Sequence, residues 1–284
     1  MLLLIDIGNT HTHVGLANDR RVVRQFEVTT TGWSKDSLRR ALRNWVGSAP
    51  LLGLALCSVV PRATVLVPRA VQSRWRLPVL ELNARTVTGV GVNYPKPDTI
   101  GPDRLANAVA VKHHFGAPAV AVDFGTAVTF DVIDRRGDYV GGIITPGLAA
   151  MTDYLHEKTA LLPRIRIRET AMVIGRSTEE AMLIGAVHGY RGLVRELIRE
   201  LKRALGCRRL PVVATGGYAR LMADGLPEIN AVEPALTLEG LRLEWGAAGQ
   251  RFMGREHLQN RDVNRGHEPG RSPLVRATAQ RDRI

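Results

Sequence analysis

Two short stretches of the chain set an aspartate, a glycine and several hydroxyls in the same order. The first is Asp6-Ile7-Gly8-Asn9-Thr10-His11-Thr12-His13, and the second begins at Asp123-Phe124-Gly125-Thr126 and continues to Thr129. Each follows a run of apolar residues and precedes a second such run and a polar turn, Asn18 to Arg21 in one copy and Asp134 to Gly137 in the other. The chemistry suits phosphate. Glycine lets the backbone come close to a ligand, successive amides in a tight turn form an anion-binding concavity, and Thr10, Thr12, Thr126 and Thr129 add hydroxyl donors. An aspartate repels phosphate, so its sensible partner is a hydrated Mg²⁺ ion that bridges to phosphate oxygens. Either copy alone also reads as an ordinary hairpin turn stabilised by Asp and Asn. Two copies in one frame favour a duplication, with a nucleotide and metal held between two similar halves. No P-loop pattern and no dinucleotide fingerprint opening a helix occurs in the sequence.

A second place where chemistry could sit is Gly101-Pro102-Asp103-Arg104. Pro102 fits the first position of a helix, and Asp103 would lie in the first turn, where the helix dipole favours an ionised carboxylate. In a phosphate cleft such a group can accept a proton from an attacking hydroxyl, and Arg104 could grip a substrate carboxylate as a fork. From these four residues alone, a plain helix start with a solvated Arg104 is the better account. His113 and His114 fall within that helix and His11 and His13 on a strand, none with metal-ligand spacing to Cys or carboxylate partners.

The elements that must hold these residues are legible in outline. Strands are expected at 2–7, 12–17 and 22–28, then a helix over 34–46 with Ser34 as its cap and Leu38, Leu42 and Trp45 on one face. A buried strand over 53–58 leads to a helix after Pro61 that Pro68 should interrupt or kink, followed by a strand at 78–82 and a loop over 83–100. The helix 101–116 closes the first half. The second half repeats the strands at 119–124, 127–134 and 138–144. Residues 145–170 are irregular or helical. A long helix is expected from a capping box at Ser177 to Gly206, with Gly185, Gly189 and Gly192 in one stripe where another helix could approach. A strand over 211–215 runs into Thr215-Gly216-Gly217, and a last helix spans 238–253. The predicted fold class is α/β, two duplicated actin-like (RNase H-like) domains with a nucleotide cleft between them. The expected boundaries are 1–116, 117–253 and a disordered basic tail over 254–284.

Bulk properties limit the alternatives. The 284 residues include 45% hydrophobic and only 5% aromatic side chains, with a mean hydropathy of −0.06. Met1 to Ile7 contains Asp6 and lacks a basic leader, which argues for a strand and not a signal peptide. Two distant cysteines, Cys57 and Cys207, argue for reduced thiols in a cytoplasmic protein. The net charge of +12 attracts anions in general, but no basic run interleaves with aromatics, and nucleic acid is not the expected partner.

Taken in order, these segments resemble the type III pantothenate kinases, a family of the actin-like ATPase fold. The resemblance is carried by Asp6 to Thr10, Ser58-Val-Val-Pro61, Asn93-Tyr94, Gly101 to Arg104, Asp123 to Ala127 and Gly141 to Gly147. It continues through Lys158 to Ala160, Gly175 to Thr178, Thr215 to Gly217 and Leu236 to Leu241, covering residues 1 to about 250. It implies ATP-dependent phosphorylation of pantothenate to 4′-phosphopantothenate, the first step toward coenzyme A. By this resemblance Asp6, Ile7, Gly8, Asn9, Thr10, His11, Thr12 and His13 hold ATP phosphates, with Asp6 reaching Mg²⁺ through water. Thr126 touches ATP, and Thr215, Gly216 and Gly217 form the adenosine-side turn. Asp103 accepts the proton of the substrate hydroxyl. Tyr94, Gly101, Pro102, Asp103 and Arg104 line the pantothenate pocket, with Thr178 reaching it from a second subunit. Asp123 binds a monovalent cation, K⁺ or NH₄⁺. A homodimer is implied, and no membrane. His11 stands where the family usually has Asn, and Pro102 where it usually has a small residue.

Two other readings stand beside it: a non-catalytic transcriptional accessory factor of the same fold, and another actin-like small-molecule kinase. The joint presence of Asp6, Asp103 and Asp123 favours catalysis.

Overall fold

The computed structural model describes residues 1–31 and 35–248. Ser34 and the segment 254–284 lie outside the described residues, as does the last helix beyond residue 248. Residues Met1–Ala247 form one compact unit.

Inside this unit one strand plan is used twice. The first sheet has the order β3-β2-β1-β4-β5, built from β1 (Leu2–Ile7), β2 (His11–Ala17), β3 (Val22–Thr29), β4 (Gly53–Ser58) and β5 (Val79–Glu81). The second has β9-β8-β7-β10-β11, from β7 (Ala119–Phe124), β8 (Ala127–Ile133), β9 (Asp138–Pro146), β10 (Val212–Thr215) and β11 (Ala231–Val232), plus a short strand β6 (Gly91–Val92) on the β9 edge. In both sheets the first three strands pair antiparallel, and the next two join parallel to the first. β1 and β7 therefore play the same part, and both show near-continuous burial, as expected of a strand covered on both faces. Apolar β-branched and leucine runs such as Leu2-Leu3-Leu4-Ile5 and Ala119-Val120-Ala121-Val122 meet that requirement.

Helices cover these sheets. They are α1 (Lys35–Val46), α2 (Pro61–Trp75), α3 (Pro102–Phe115), α4 (Leu148–Lys158), α5 (Thr178–Ile184), α6 (Tyr190–Ala204) and α7 (Ala219–Ala223). A further helical stretch, 236–248, is called α8 here. Two packed cores form. One gathers Leu3, Ile5, Val14, Leu54 and Leu56 with Val67 and Val71 of α2. The other gathers Val120, Val122, Phe130 and Val212 with Tyr190, Val194 and Ile198 of α6.

Several expectations change on contact with the structure. α2 runs unbroken through Pro68. The loop 83–100 holds β6 and a single 3₁₀ turn, Pro97–Thr99. The long helix from Ser177 is divided: α5 passes into a π-helical turn at Gly185–Gly189 before α6 begins. Glycines tolerate the extra backbone freedom of such a turn, and among the described residues nothing beyond the adjacent residues and the helix's own backbone lies within 4 Å of where a β-carbon would sit at Gly185, Gly189 or Gly192. Ser177 caps α5 by accepting from the Glu180 amide, while Glu180 reaches back to the Arg176 amide. Two short elements, α7 and β11, had no clear sequence signal.

α8 returns to the first half. The Trp245 ring sits against Gly53 and the Gly240 backbone against that of Ala106, both closely enough that a β-carbon at either glycine would collide. Buried Glu244 accepts from the Thr88 and Gly89 amides and from the Thr88 hydroxyl.

Candidate active site

Asp6 and Asp123 are each the fifth residue of the central strand of their sheet. Asp6 lies in register between His13 of β2 and Cys57 of β4. Asp123 lies between Thr129 of β8 and Thr215 of β10. The duplication thus sets a carboxylate at the same point of each half. The turns that follow meet face to face, because Thr10 Oγ1 and Thr126 Oγ1 are 3.0 Å apart.

The third carboxylate comes from α3. Its N-terminus is shaped by Gly101 and by Pro102 at the first helical position. Asp103 bends back so that Oδ1 accepts from the Arg104 amide at 2.9 Å. A β-carbon at Gly101 would press on that oxygen.

These three acids feel one another. Burial pushes Asp6 up to about 8, helped by the charges of Asp103 and Asp123 and opposed by the Cys57 hydrogen bond. Burial likewise raises Asp123 to about 7, with Asp103 adding to it and an Asn107 hydrogen bond opposing it. Asp103 is raised by burial, against the Arg104 amide and guanidinium. Three converging carboxylates with raised pKa values make a region that gains from a cation. Among the described residues no three His, Cys, Asp or Glu side chains close into a ready-made metal cage. A hydrated Mg²⁺ or a monovalent ion completed by substrate oxygens needs few protein ligands.

Around the carboxylates the remaining residues divide by position. Gly8, Asn9, Thr10 and His11 form the first turn, closed by Gly8 N donating to the His11 carbonyl. Ile7 is fully buried and contributes its backbone only. Thr12, expected to face phosphate, is also buried, and its hydroxyl pairs with Thr30 at 3.0 Å; it braces the turn from behind. His11 and His13 flank Glu27 of β3 at 3.5 and 3.7 Å, and burial holds His13 below its usual pKa. Gly216, at φ +89°, leaves no room for a β-carbon against the Asp123 carboxylate and Phe124 backbone. The Thr215-Gly216-Gly217 turn therefore abuts Asp123. Tyr94 packs edge-on against Tyr139 at 6.2 Å.

Two expected site residues stand differently. Arg104 is already partly engaged: Nε donates to Asp131 Oδ1 at 2.6 Å and Nη2 to the Phe130 carbonyl at 3.2 Å, which leaves the two Nη1 hydrogens and one on Nη2. Thr178 heads α5 and is exposed, and no hydrogen bond among the described residues joins it to the three carboxylates.

Four residues near the site escaped the sequence reading. Cys57 donates its thiol hydrogen to Asp6 Oδ1 at 3.2 Å. Asn107 bonds Asp123 and accepts from Thr237 Oγ1 at 2.8 Å. Asp131 holds Arg104. Asn107 carried a usable signal, being the one polar side chain in the apolar run Leu105 to Val111, and Asp131 a weaker one, as an acid between Phe130 and Val132. Cys57 and Thr237 are placed only by strand register and by the return of α8.

Comparison with known proteins identifies the family. The family model for type III pantothenate kinase matches residues 2–200. A type III pantothenate kinase of Methylacidiphilum infernorum is 44% identical over 243 residues, 85% of this chain and 87% of that protein. One of Akkermansia muciniphila is 46% identical over 245 residues, 86% of this chain and 98% of that protein. Among solved structures, a Baf family protein of Campylobacter jejuni overlays with a TM-score of 0.57 at 17% identity, covering 87% of this chain and 99% of that one, a likeness of fold. The fold is a pair of α/β halves that repeat one strand plan, and the chain belongs to the type III pantothenate kinase family.

Proposed function

We infer that the protein transfers the γ-phosphoryl group of ATP to the primary hydroxyl of pantothenate, giving 4′-phosphopantothenate for coenzyme A synthesis. The observation that supports this most is the convergence of Asp6, Asp103 and Asp123 from three separate elements, in a chain of this family.

Roles follow from chemistry. Asp103, held through Oδ1 and raised in pKa, is the proton acceptor for the attacking hydroxyl; a base is most useful when its pKa lies nearer the working pH. Phosphoryl transfer depends chiefly on placement and charge neutralisation. The turns Asp6 to His13 and Thr126 receive the phosphates by amides and hydroxyls, with Thr12 acting through Thr30. Asp6 would hold a hydrated Mg²⁺, which when bound would supply charge neutralisation on the phosphate chain. Asp123 would hold a K⁺ or NH₄⁺ ion, which would offset the charge of that carboxylate. Thr215, Gly216 and Gly217 take the adenosine side. Tyr94, Gly101, Pro102, Asp103 and Arg104 line the pantothenate site between residues 1–116 and 117–253.

We place Thr178 in the pocket of a partner copy, in a cytoplasmic homodimer. Leu161, Val173 and Ile174 are at least 80% exposed on the segment that leads into α5, an apolar stretch that a second copy would cover. No helix among the described residues is long and apolar enough to cross a membrane.

The test is ADP release by purified protein given ATP, Mg²⁺ and pantothenate, with and without K⁺. Turnover that requires pantothenate is the expected result. Equal ADP release without pantothenate, or with a hexose in its place, would refute the assignment.

A further inference from the structure

Asp131 lies on β8 and is fully buried. Its Oδ1 accepts from Arg104 Nε at 2.6 Å, and its Oδ2 is buried without a hydrogen-bond partner. Buried polar atoms are nearly always satisfied, and burial pushes the Asp131 carboxyl up to about 7 against the pull of Arg104. A buried ion pair of this kind adds little net stability compared with an apolar pair. Its position next to Asp103 supplies a different reason for it.

The guanidinium is planar, so two hydrogen bonds fix its orientation completely. Nε is held by Asp131 and Nη2 by the Phe130 carbonyl. The guanidinium carbon lies 5.7 Å from the centre of the Tyr139 ring, which in turn meets Tyr94. Gly142 clears the path: a β-carbon there would collide with the Phe130 carbonyl and stand 2.6 Å from Arg104 Nη2. Once the plane is set, the direction of Nη1 is set as well.

We propose that Asp131 is a positioning residue for the substrate: it locks Arg104 so that its remaining N–H groups, two on Nη1 and one on Nη2, are already oriented for an oxygen of pantothenate. This rests on the placement of Arg104 in the pantothenate site. The gain is preorganisation, because a side chain with many rotamers is ordered before the ligand arrives. Asp131 itself touches no substrate.

The test is a double-mutant cycle on the full chain with Arg104→Ala and Asp131→Asn, the latter keeping shape and the Oδ1 acceptor. Asp131→Asn is expected to raise KM for pantothenate roughly 10- to 100-fold, the scale of a weakened hydrogen bond from a charged group. kcat at saturation should fall far less, and KM for ATP should hold. In the Arg104→Ala background Asp131→Asn should add little, since partners acting as a unit are non-additive. An unchanged KM for pantothenate in Asp131→Asn, alongside a raised one in Arg104→Ala, overturns the role of Asp131 alone. An unchanged KM in Arg104→Ala removes Arg104 from the pocket and the proposal with it. Additive losses, or equal losses toward ATP and pantothenate, also overturn it. Should Asp131→Asn fail to fold, the wild type decides by NMR. The Arg104 Nε–H signal is expected sharp and protected before pantothenate is added. A signal that appears only with pantothenate refutes the lock.

Discussion

The hydroxyls of Thr10 and Thr126 lie 3.0 Å apart although 116 residues separate them in the chain. One lies in the turn after Asp6 and the other in the turn after Asp123, so the two copies of the duplicated unit face each other at the ends we propose bind phosphate. Each hydroxyl can turn from its partner to a phosphate oxygen. Thr10→Val and Thr126→Val should therefore each raise KM for ATP about tenfold, in line with one hydrogen bond to a charged acceptor, with KM for pantothenate little changed. Steady-state kinetics with each substrate varied separately checks this. A rise confined to pantothenate would place the phosphates elsewhere.

Asp103→Asn keeps the side-chain shape and the Oδ1 acceptor for the Arg104 amide. It removes the capacity to take a proton. kcat should fall roughly 10²- to 10⁴-fold, the usual scale for a lost general base. ATP binding, measured by calorimetry, should persist. Near-normal turnover would take Asp103 out of the mechanism.

The raised acids tie stability to pH. Asp6 is held at about 8 and Asp123 at about 7 in the folded chain, whereas unfolded aspartates titrate near 4. Between these limits the folded state binds more protons than the unfolded one, so its stability falls as pH rises. This contribution is fully present below the unfolded value and lost as pH passes through 7 to 8. Without divalent or K⁺ ions, Tm should drop from about pH 5 to about pH 8.5. Asp6→Asn should flatten that slope, and Mg²⁺ with nucleotide should do the same in the wild type. Parallel slopes for wild type and Asp6→Asn would show that Asp6 ionises normally in the folded protein.

Much of this site was legible because it is repeated and local. Asp6 and Asp123 stand out as acids ending apolar strands, and the Gly101 to Arg104 turn follows from helix-start chemistry. What stayed hidden depends on tertiary closure. Thr12 reads as a phosphate donor by composition, yet strand alternation turns it inward to Thr30. Arg104 reads as a free fork, yet the antiparallel return of β8 brings Asp131 beneath it. The break between α5 and α6 could be suspected from its glycines, but a π-turn is decided by packing. β11 is two residues long and owes its place to pairing with β10, which no period in the sequence encodes.

Closure also links α8 to Asp123, the proposed cation ligand. Asn107 stands one helical turn after Asp103 on α3, so both project from the same face. Its Oδ1 accepts from Thr237 of α8, which turns the amide nitrogen toward Asp123. Removing that donor leaves Asp123 less firmly held for a monovalent ion. Asn107→Leu and Thr237→Val should each raise the K⁺ concentration for half-maximal activity severalfold, the second less than the first because Asn107 remains. Thr237→Ser, which keeps the hydroxyl, should behave as wild type. The K⁺ dependence of ATP affinity, measured without pantothenate, gives a second readout free of turnover. If K⁺ response is unchanged in Asn107→Leu while overall stability drops, Asn107 serves only to join α3 to α8.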